Sequence, residues 1–307
     1  MNTKKCFFCG SKKVKKNGRR NSQQRYKCCN CGRQFDGGRR RQSDELWTDY
    51  SAGKQTAARL VAKYGCSCKT IYRHRKARIQ ETFPQPAKAN IIMDTTYFGR
   101  SFGVMVLMDS ISGQALFVGE VKYETNALYS EALNNLREKG VVIQSIVCDG
   151  WKGLLQLFPE IPAQLCQFHQ VKTVSRYLTR NPKTGVGKAL WRLTLTLKDS
   201  GKTAFQGALQ AWFEQHEGFL NERTANEESG SSHYTHKTLR SAYLSLKRNL
   251  DYLFTFEAYP VLGMCNTTNL LDGRFADLKR KLGCHHGMKR ENKVKFIKDY
   301  FAMPDDG

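Results

Sequence analysis

The chain has 307 residues, with 50 Lys and Arg against 27 Asp and Glu and a formal net charge of +23. That length suits about two domains, and the charge points to a polyanionic partner. The sequence has neither an apolar run long enough for a bilayer nor an amphipathic anchor, so nucleic acid is expected rather than an anionic membrane. The excess is uneven: residues 1–90 hold 23 Lys and Arg with 5 acids, whereas the remainder hold 27 and 22. A basic head therefore precedes a nearly balanced body. The 11 cysteines are odd in number and follow no secretory signal, which argues against a disulfide framework and for a reducing cytoplasm.

In the head, Cys6-Phe7-Phe8-Cys9 and Cys28-Cys29-Asn30-Cys31 are two C-x2-C knuckles separated by 18 residues. Four thiolates at this spacing, from Cys6, Cys9, Cys28 and Cys31, predict a tetrahedral Zn2+ site in a ribbon over residues 1–36, with Cys29 left over. Iron could occupy the same thiolates. Lys12, Lys13, Lys15, Lys16, Arg19 and Arg20 lie between the knuckles and suit DNA phosphate. Residues 37–42, GGRRRQ, read as a basic linker. Residues 43–81 read as helical, capped by Ser43 and broken at Gly65-Cys66-Ser67. A helix, a short Gly turn and a basic second helix predict a helix-turn-helix, with Lys69, Thr70, Tyr72, Arg73 and Arg75 as candidate DNA readers. The competing reading is a plain helical hairpin with a solvated basic face. Cys66 and Cys68 read as small core residues.

The two prolines of residues 82–89 mark the boundary with the body. A first apolar strand, Ile91 to Met93, delivers Asp94. Runs from Val104 to Met108 and from Ala115 to Val118 extend it into a meander. A helix over Ala127–Lys139 leads to a further strand, Val141 to Cys148, which delivers Asp149. Strand, crossover helix and strand imply parallel pairing and an α/β fold, with chemistry at the carboxyl ends of the strands. A lone Asp there usually caps a turn, but two brought side by side repel each other and invite a divalent cation. Cys166 and His169 follow three residues apart. As a zinc half-site they lack two ligands, so they read as a packed Cys and a hydrogen-bonded His near the active face. Residues 171–260 are basic and amphipathic, with helices over Phe205–Leu220 and Thr238–Phe256 and a loop over Asn226–Ser232. Asn266-Thr267-Thr268-Asn269 opens a last helix with Leu271, Phe275, Leu278 and Leu282 as its apolar stripe. Asp272 on it is either a capping-box acid or a third metal carboxylate.

Three segments together resemble one family: Met93-Asp94-Thr95-Thr96; Cys148-Asp149-Gly150-Trp151 with Cys166-Gln167-Phe168-His169; and Asn266-Thr267-Thr268-Asn269 leading to Asp272. They resemble the Mutator-like DDE transposases of bacterial insertion sequences, in the branch with a zinc-binding amino terminus, and the similarity covers nearly the whole chain. It implies a ribonuclease-H-like core over residues 90–170 and 261–307, interrupted by the helical block at 171–260. It implies Asp94, Asp149 and Asp272 as catalytic acids holding Mg2+ (or Mn2+), with DNA cleavage followed by strand transfer. It also implies recognition of terminal inverted repeats by the head, at least a dimer on DNA, and a nucleoid-associated bacterial protein. The sequence departs from the family at Asp272, where Glu is common, and Glu228 and Glu257 are the alternative third acids. An inactive core acting as a DNA-binding regulator, and a nuclease without strand transfer, are the competing functions.

Overall fold

A computed structural model describes residues 5–6, 8–20, 23–36, 45–46, 49–50, 53, 55–77, 83–100, 102–150, 153–225, 231–285 and 287–302, without the side chains of 74–77. The chain forms two compact units, Met1–Ile79 and Gln80–Gly307. No described helix is long and apolar enough to cross a membrane.

The first unit holds an antiparallel sheet of β1 (Val14–Arg20), β2 (Gln23–Cys28) and β3 (Gln34–Asp36) in that order. Its core is small: Cys6, Cys28 and Phe35 are buried, and Tyr26 stacks on Phe35 at 5.9 Å. So little apolar area does not hold a sheet without a metal or another staple. After helical residues at 45–46 and 49–50 come α1 (Ala57–Tyr64) and α2 (Cys68–Ala77). The Thr56 hydroxyl accepts from Arg59 N to start α1, and Gly65 ends it at φ 56°, a conformation glycine takes without strain. Leu60, Cys66 and Ile71 are buried between the helices. Cys66 is thus the expected core residue, whereas Cys68 is exposed, because the first turn of α2 points it away from that core. Ser43 lies outside the described residues.

The second unit is mixed α/β, as the alternation of strands and helices implies. Its five-stranded sheet runs β6 (Ala115–Val121), β5 (Phe102–Asp109), β4 (Lys88–Phe98), β7 (Val142–Cys148), β8 (Ala163–Leu165). The β4–β5 and β5–β6 pairs are antiparallel, and β4–β7 and β7–β8 are parallel. All of β5 and the stretch Ala89–Met93 of β4 are buried, so these central segments do not alternate between a buried and an exposed face. On one face lies α3 (Asn126–Glu138), burying Tyr129, Ala132, Leu133 and Leu136 against Ile91, Met93, Met105 and Leu107. Toward the other chain end, α9 (Asn269–Gly283) contacts β4 and α10 (Arg290–Ala302) contacts β6.

Between β8 and α9 the chain forms α4 (Gln167–Leu178), α5 (Gly185–Leu195), α6 (Lys202–Asn221), β9 (Arg223–Ala225), β10 (Ser232–Tyr234), α7 (Lys237–Leu253) and the short α8 (Thr255–Ala258). These helices enclose a second core around Val174, Leu190, Phe205, Trp212, Tyr243 and Leu246. β9 and β10 pair as a hairpin with Ser232 opposite Ala225, so Ser232, expected in the loop at 226–232, is a strand residue. Residues 226–230 lie outside the described residues.

Candidate active site

The strand that carries Asp94 runs on to Phe98, so Asp94 lies within β4 and not at its end. The reason is the antiparallel partner: β5 pairs with β4 out to Phe98 opposite Phe102. Parallel pairing with β7 stops earlier, at Ile92 opposite Val147. Two residues further along each chain come Asp94 and Asp149, the latter just past the end of β7, so the register brings both to the same end of this parallel pair. Asp94 Oδ1 accepts the Thr95 N–H at 2.7 Å. Burial pushes the Asp94 carboxyl up to about 7; the Thr95 N–H and His169 oppose the rise, while the charges of Asp149 and Asp272 add to it. Asp149 and Asp272 thus both act on Asp94 through their charge, but only Asp272 joins it in a close group of ligand atoms, and Asp149 does not.

Asp272 enters from α9. Its backbone N–H bonds Thr268 O at 3.0 Å, as an ordinary helical residue's does. The capping-box alternative has Asn269 as cap and Asp272 as the third helical residue; in the structure Thr268 is the cap and Asp272 stands fourth, one residue past the position that takes the cap's own N–H. That N–H instead goes to Cys166 Sγ at 3.3 Å, and the Thr268 hydroxyl lies 3.3 Å from Asp272 Oδ2. The carboxylate is thus turned toward the site. One ligand atom each from Asp94, His169 and Asp272 lie within 4.8 Å of one another. Three donors each about 2.1 Å from one ion and equally spaced are at most about 3.6 Å apart. The set therefore closes on a divalent cation only if each donor moves inward by up to about 0.7 Å, and its two carboxylates and one imidazole are chemically suited to one.

Cys166 and His169 stand at the start of α4. Cys166 is fully buried, and its N–H bonds Cys148 O at 2.8 Å. Against burial, hydrogen bonds from His169 and Thr268 hold the Cys166 thiol below its ordinary value. His169 is raised by its bond to Cys166, with burial opposing and the Asp94 and Asp272 charges assisting. Cys166 is packed in the core, and a ring nitrogen of His169 lies within 4.8 Å of an oxygen of each of Asp94 and Asp272.

Glu257, one alternative third acid, is engaged elsewhere: its carboxylate accepts the Lys202 N–H that opens α6, at 3.1 and 3.2 Å. Glu228 lies outside the described residues. One acid that sequence reasoning missed is Glu124, in the turn before α3. Tyr129 Oη donates to its Oε1 at 2.6 Å and lies 3.0 Å from Thr95 Oγ1, and Tyr97 Oη accepts the Glu124 N–H at 2.9 Å. Burial raises the Glu124 carboxyl, the Tyr129 hydroxyl opposes this, and the Asp149 charge adds to it. No local motif marks it; only its position beside Asp149 does.

In the first unit, Cys6, Cys9, Cys28 and Cys31 form a possible zinc group. Sγ atoms of Cys6 and Cys31, and of Cys9 and Cys28, are each 3.6 Å apart. Tetrahedral Zn–S bonds of about 2.3 Å place sulfurs about 3.8 Å apart, so the cradle fits with little adjustment. The Cys31 N–H, aided by that of Asn30 and opposed by burial, draws the Cys28 thiol down to about 6. Cys29 stays outside the group, its N–H bonded to Lys13 O at 2.9 Å. Lys12, Lys13, Lys15, Lys16, Arg19 and Arg20 are all exposed. On α2, Lys69, Tyr72 and Arg73 are exposed and Thr70 half-buried; the side chain of Arg75 is among those not described.

The Asp94 shift has a thermodynamic consequence. Its ordinary value is 3.8 and its folded value about 7. Between about pH 4 and 7 the folded chain keeps a proton that the unfolded chain has lost, so stability without added Mg2+ or Mn2+ falls as pH rises through that window and levels off above it. Asp94→Asn removes this slope. Relative to wild type, the variant gains up to about 4 kcal/mol between pH 4 and 7.5, at about 1.36 kcal/mol per unit. Denaturant titration at fixed zinc checks this; a difference that stays flat across the window places Asp94 in water.

No protein-family model matches the chain, and no curated protein matches it. Among the solved structures similar to it at a low level, two examples cover most of both chains. One is the Drosophila P element transposase strand transfer complex, 10% identical over 91% of this chain and 95% of that one, with a TM-score of 0.37. The other is the simian T-cell lymphotropic virus intasome in complex with PP2A regulatory subunit B56 gamma, 14% identical over 64% of this chain and 74% of that one, with a TM-score of 0.21. Likenesses this low carry no weight for function, which rests on the site.

Proposed function

We propose that the chain is a DDE-type transposase that binds the terminal inverted repeats of its element and catalyses metal-dependent cleavage and strand transfer of DNA. One observation carries the reading: Asp94 and Asp272, far apart in sequence, converge with His169 on a space that suits one divalent cation, and Asp149 acts on Asp94 through its charge. The order β6-β5-β4-β7-β8, with three antiparallel strands followed by two parallel ones, suits a ribonuclease-H-like core. The helices between β8 and α9 occupy the place of an insertion between the second and third acids.

Asp94, Asp149 and Asp272 would hold Mg2+ or Mn2+, which when bound activates the attacking oxygen and stabilises the leaving one during in-line displacement. The chain's own task is to fix these carboxylates. β4 and β7 set Asp94 and Asp149 by register, and the Cys166–Thr268 bond fixes the start of the helix bearing Asp272. The zinc ribbon and the pair α1 and α2 serve as the DNA-binding head, with their exposed cations on phosphate. Two element ends must be joined, which calls for at least a dimer on DNA.

Incubating the purified protein and Mg2+ with a duplex bearing the element ends and a target plasmid tests the reading. Joined products are expected. Nicks alone indicate a nuclease, and binding without either indicates a regulator with an inactive core.

A further inference from the structure

We propose that His169 is itself a ligand of the divalent cation, oriented by Thr268, so that the centre is a mixed nitrogen and oxygen site. This rests on the metal centre proposed above and adds a residue that three carboxylates do not supply. His169 offers a ring nitrogen within 4.8 Å of a carboxylate oxygen from both Asp94 and Asp272. Its backbone is held from two sides. The Cys166 N–H bonds Cys148 O, next to Asp149, and the Gln167 N–H bonds Asn266 O at 3.0 Å. Asn266 Nδ2 returns a bond to Gln167 Oε1 at 2.9 Å. The start of α4 is thereby tied both to the end of β7 and to the segment leading into α9.

Thr268 then selects the form of the imidazole. It is fully buried. Its hydroxyl lies 3.3 Å from Asp272 Oδ2, 3.4 Å from Cys166 Sγ and 3.5 Å from His169 Nδ1, the last at the outer limit of a hydrogen bond. One hydroxyl has one proton to give and two lone pairs to receive with. Cys166 Sγ already receives the Thr268 N–H. An ionised Asp272 is an acceptor only, so the hydroxyl proton goes to it. The hydroxyl oxygen then faces His169 Nδ1, and Cys166 Sγ, which also bonds the imidazole, accepts as well, an arrangement met when Nδ1 carries the hydrogen. Nε2 is left with its lone pair, the form in which an imidazole binds a metal while its other nitrogen is held by a neighbour. Mg2+ prefers oxygen throughout, whereas a nitrogen donor strengthens binding of later divalent ions. The site is therefore expected to hold Mn2+ at least about tenfold more tightly than Mg2+.

The test uses full-length protein with 15N-labelled histidine, zinc retained and Mn2+ added, read by electron spin echo modulation. A 15N coupling to Mn2+ is expected in wild type and is lost in His169→Gln. Thr268→Val weakens Mn2+ binding by about tenfold or more, and Thr268→Ser, which restores the hydroxyl, returns it to the wild-type value. Mn2+ that binds in an Asp94-dependent way with no 15N coupling, or with a coupling that survives His169→Gln, overturns the role of His169 and leaves the carboxylate centre standing. Wild-type affinity in Thr268→Val overturns the orienting role. Absence of any Asp94-dependent Mn2+ binding overturns both this inference and the metal centre beneath it.

Discussion

Asp94→Asn and Asp272→Asn should each lower DNA cleavage by about 10³-fold or more while leaving affinity for the element ends within about twofold. Asn keeps the volume of Asp and removes one anionic oxygen, so packing around β4 and α9 is little disturbed. What is lost is the charge that holds a cation against the scissile phosphate, worth several kcal/mol in the transition state. Each 1.36 kcal/mol is a factor of ten in rate. Affinity should be spared because, in the proposed function, phosphate contact falls to the exposed cations of the head and not to the acids. Single-turnover cleavage beside a gel-shift titration separates the two quantities. Asp272→Asn is the more searching variant, because Asp stands there where the resembling family commonly has Glu. Cleavage within tenfold of wild type moves the third acid elsewhere. Glu257 is then a poor substitute, being bound to the start of α6. Glu124, already in the electrostatic reach of Asp149, is the next candidate.

What the sequence disclosed here, and what it hid, follows from the range of the forces involved. Apolar runs marked β4 to β7 because the strands are buried on both faces, a local compositional effect. Gly65 marked the break between α1 and α2 because few other residues adopt that backbone conformation without strain. The extension of β4 past Asp94 was not legible, since it depends on where β5 finds its partner. Neither was β8, three residues long and defined only by hydrogen bonds to β7. The acids at 94, 149 and 272 were legible as candidates through their motifs. The reach of His169 to two of them was not, because it depends on α4 and α9 being tied together by Asn266, Gln167, Thr268 and Cys166, nearly 100 residues apart. Glu124 carried no signal, for a carboxylate one residue ahead of the helix cap Thr125 looks like a favourable dipole partner.

Cys28→Ser should release the zinc, unfold the ribbon and reduce the preference for element-end DNA over unrelated DNA by on the order of 10²-fold. Cys28 is fully buried, and its sulfur also receives the Asn30 and Cys31 N–H groups at 3.3 and 3.5 Å. A serine oxygen is a poor zinc ligand in a thiolate set, and losing one of four ligands loses most of the ion's binding energy, about 10–16 kcal/mol for structural zinc at pH 7. The remaining apolar contacts, chiefly Phe35 with Tyr26, cannot replace that sum. The second unit has its own cores around the sheet and the inserted helices, so its unfolding transition should stay within a few degrees of wild type. Salt-dependent binding to any DNA should also persist, because Lys12, Lys13, Lys15, Lys16, Arg19 and Arg20 keep their charge in an unfolded segment. Selectivity should not, since reading a sequence requires those side chains at fixed spacing. Zinc content, limited proteolysis of residues 1–36 and competition binding measure the three parts separately. A ribbon that resists protease with no zinc bound would show that the β1–β3 sheet holds without its metal, and would leave the four cysteines without a structural role.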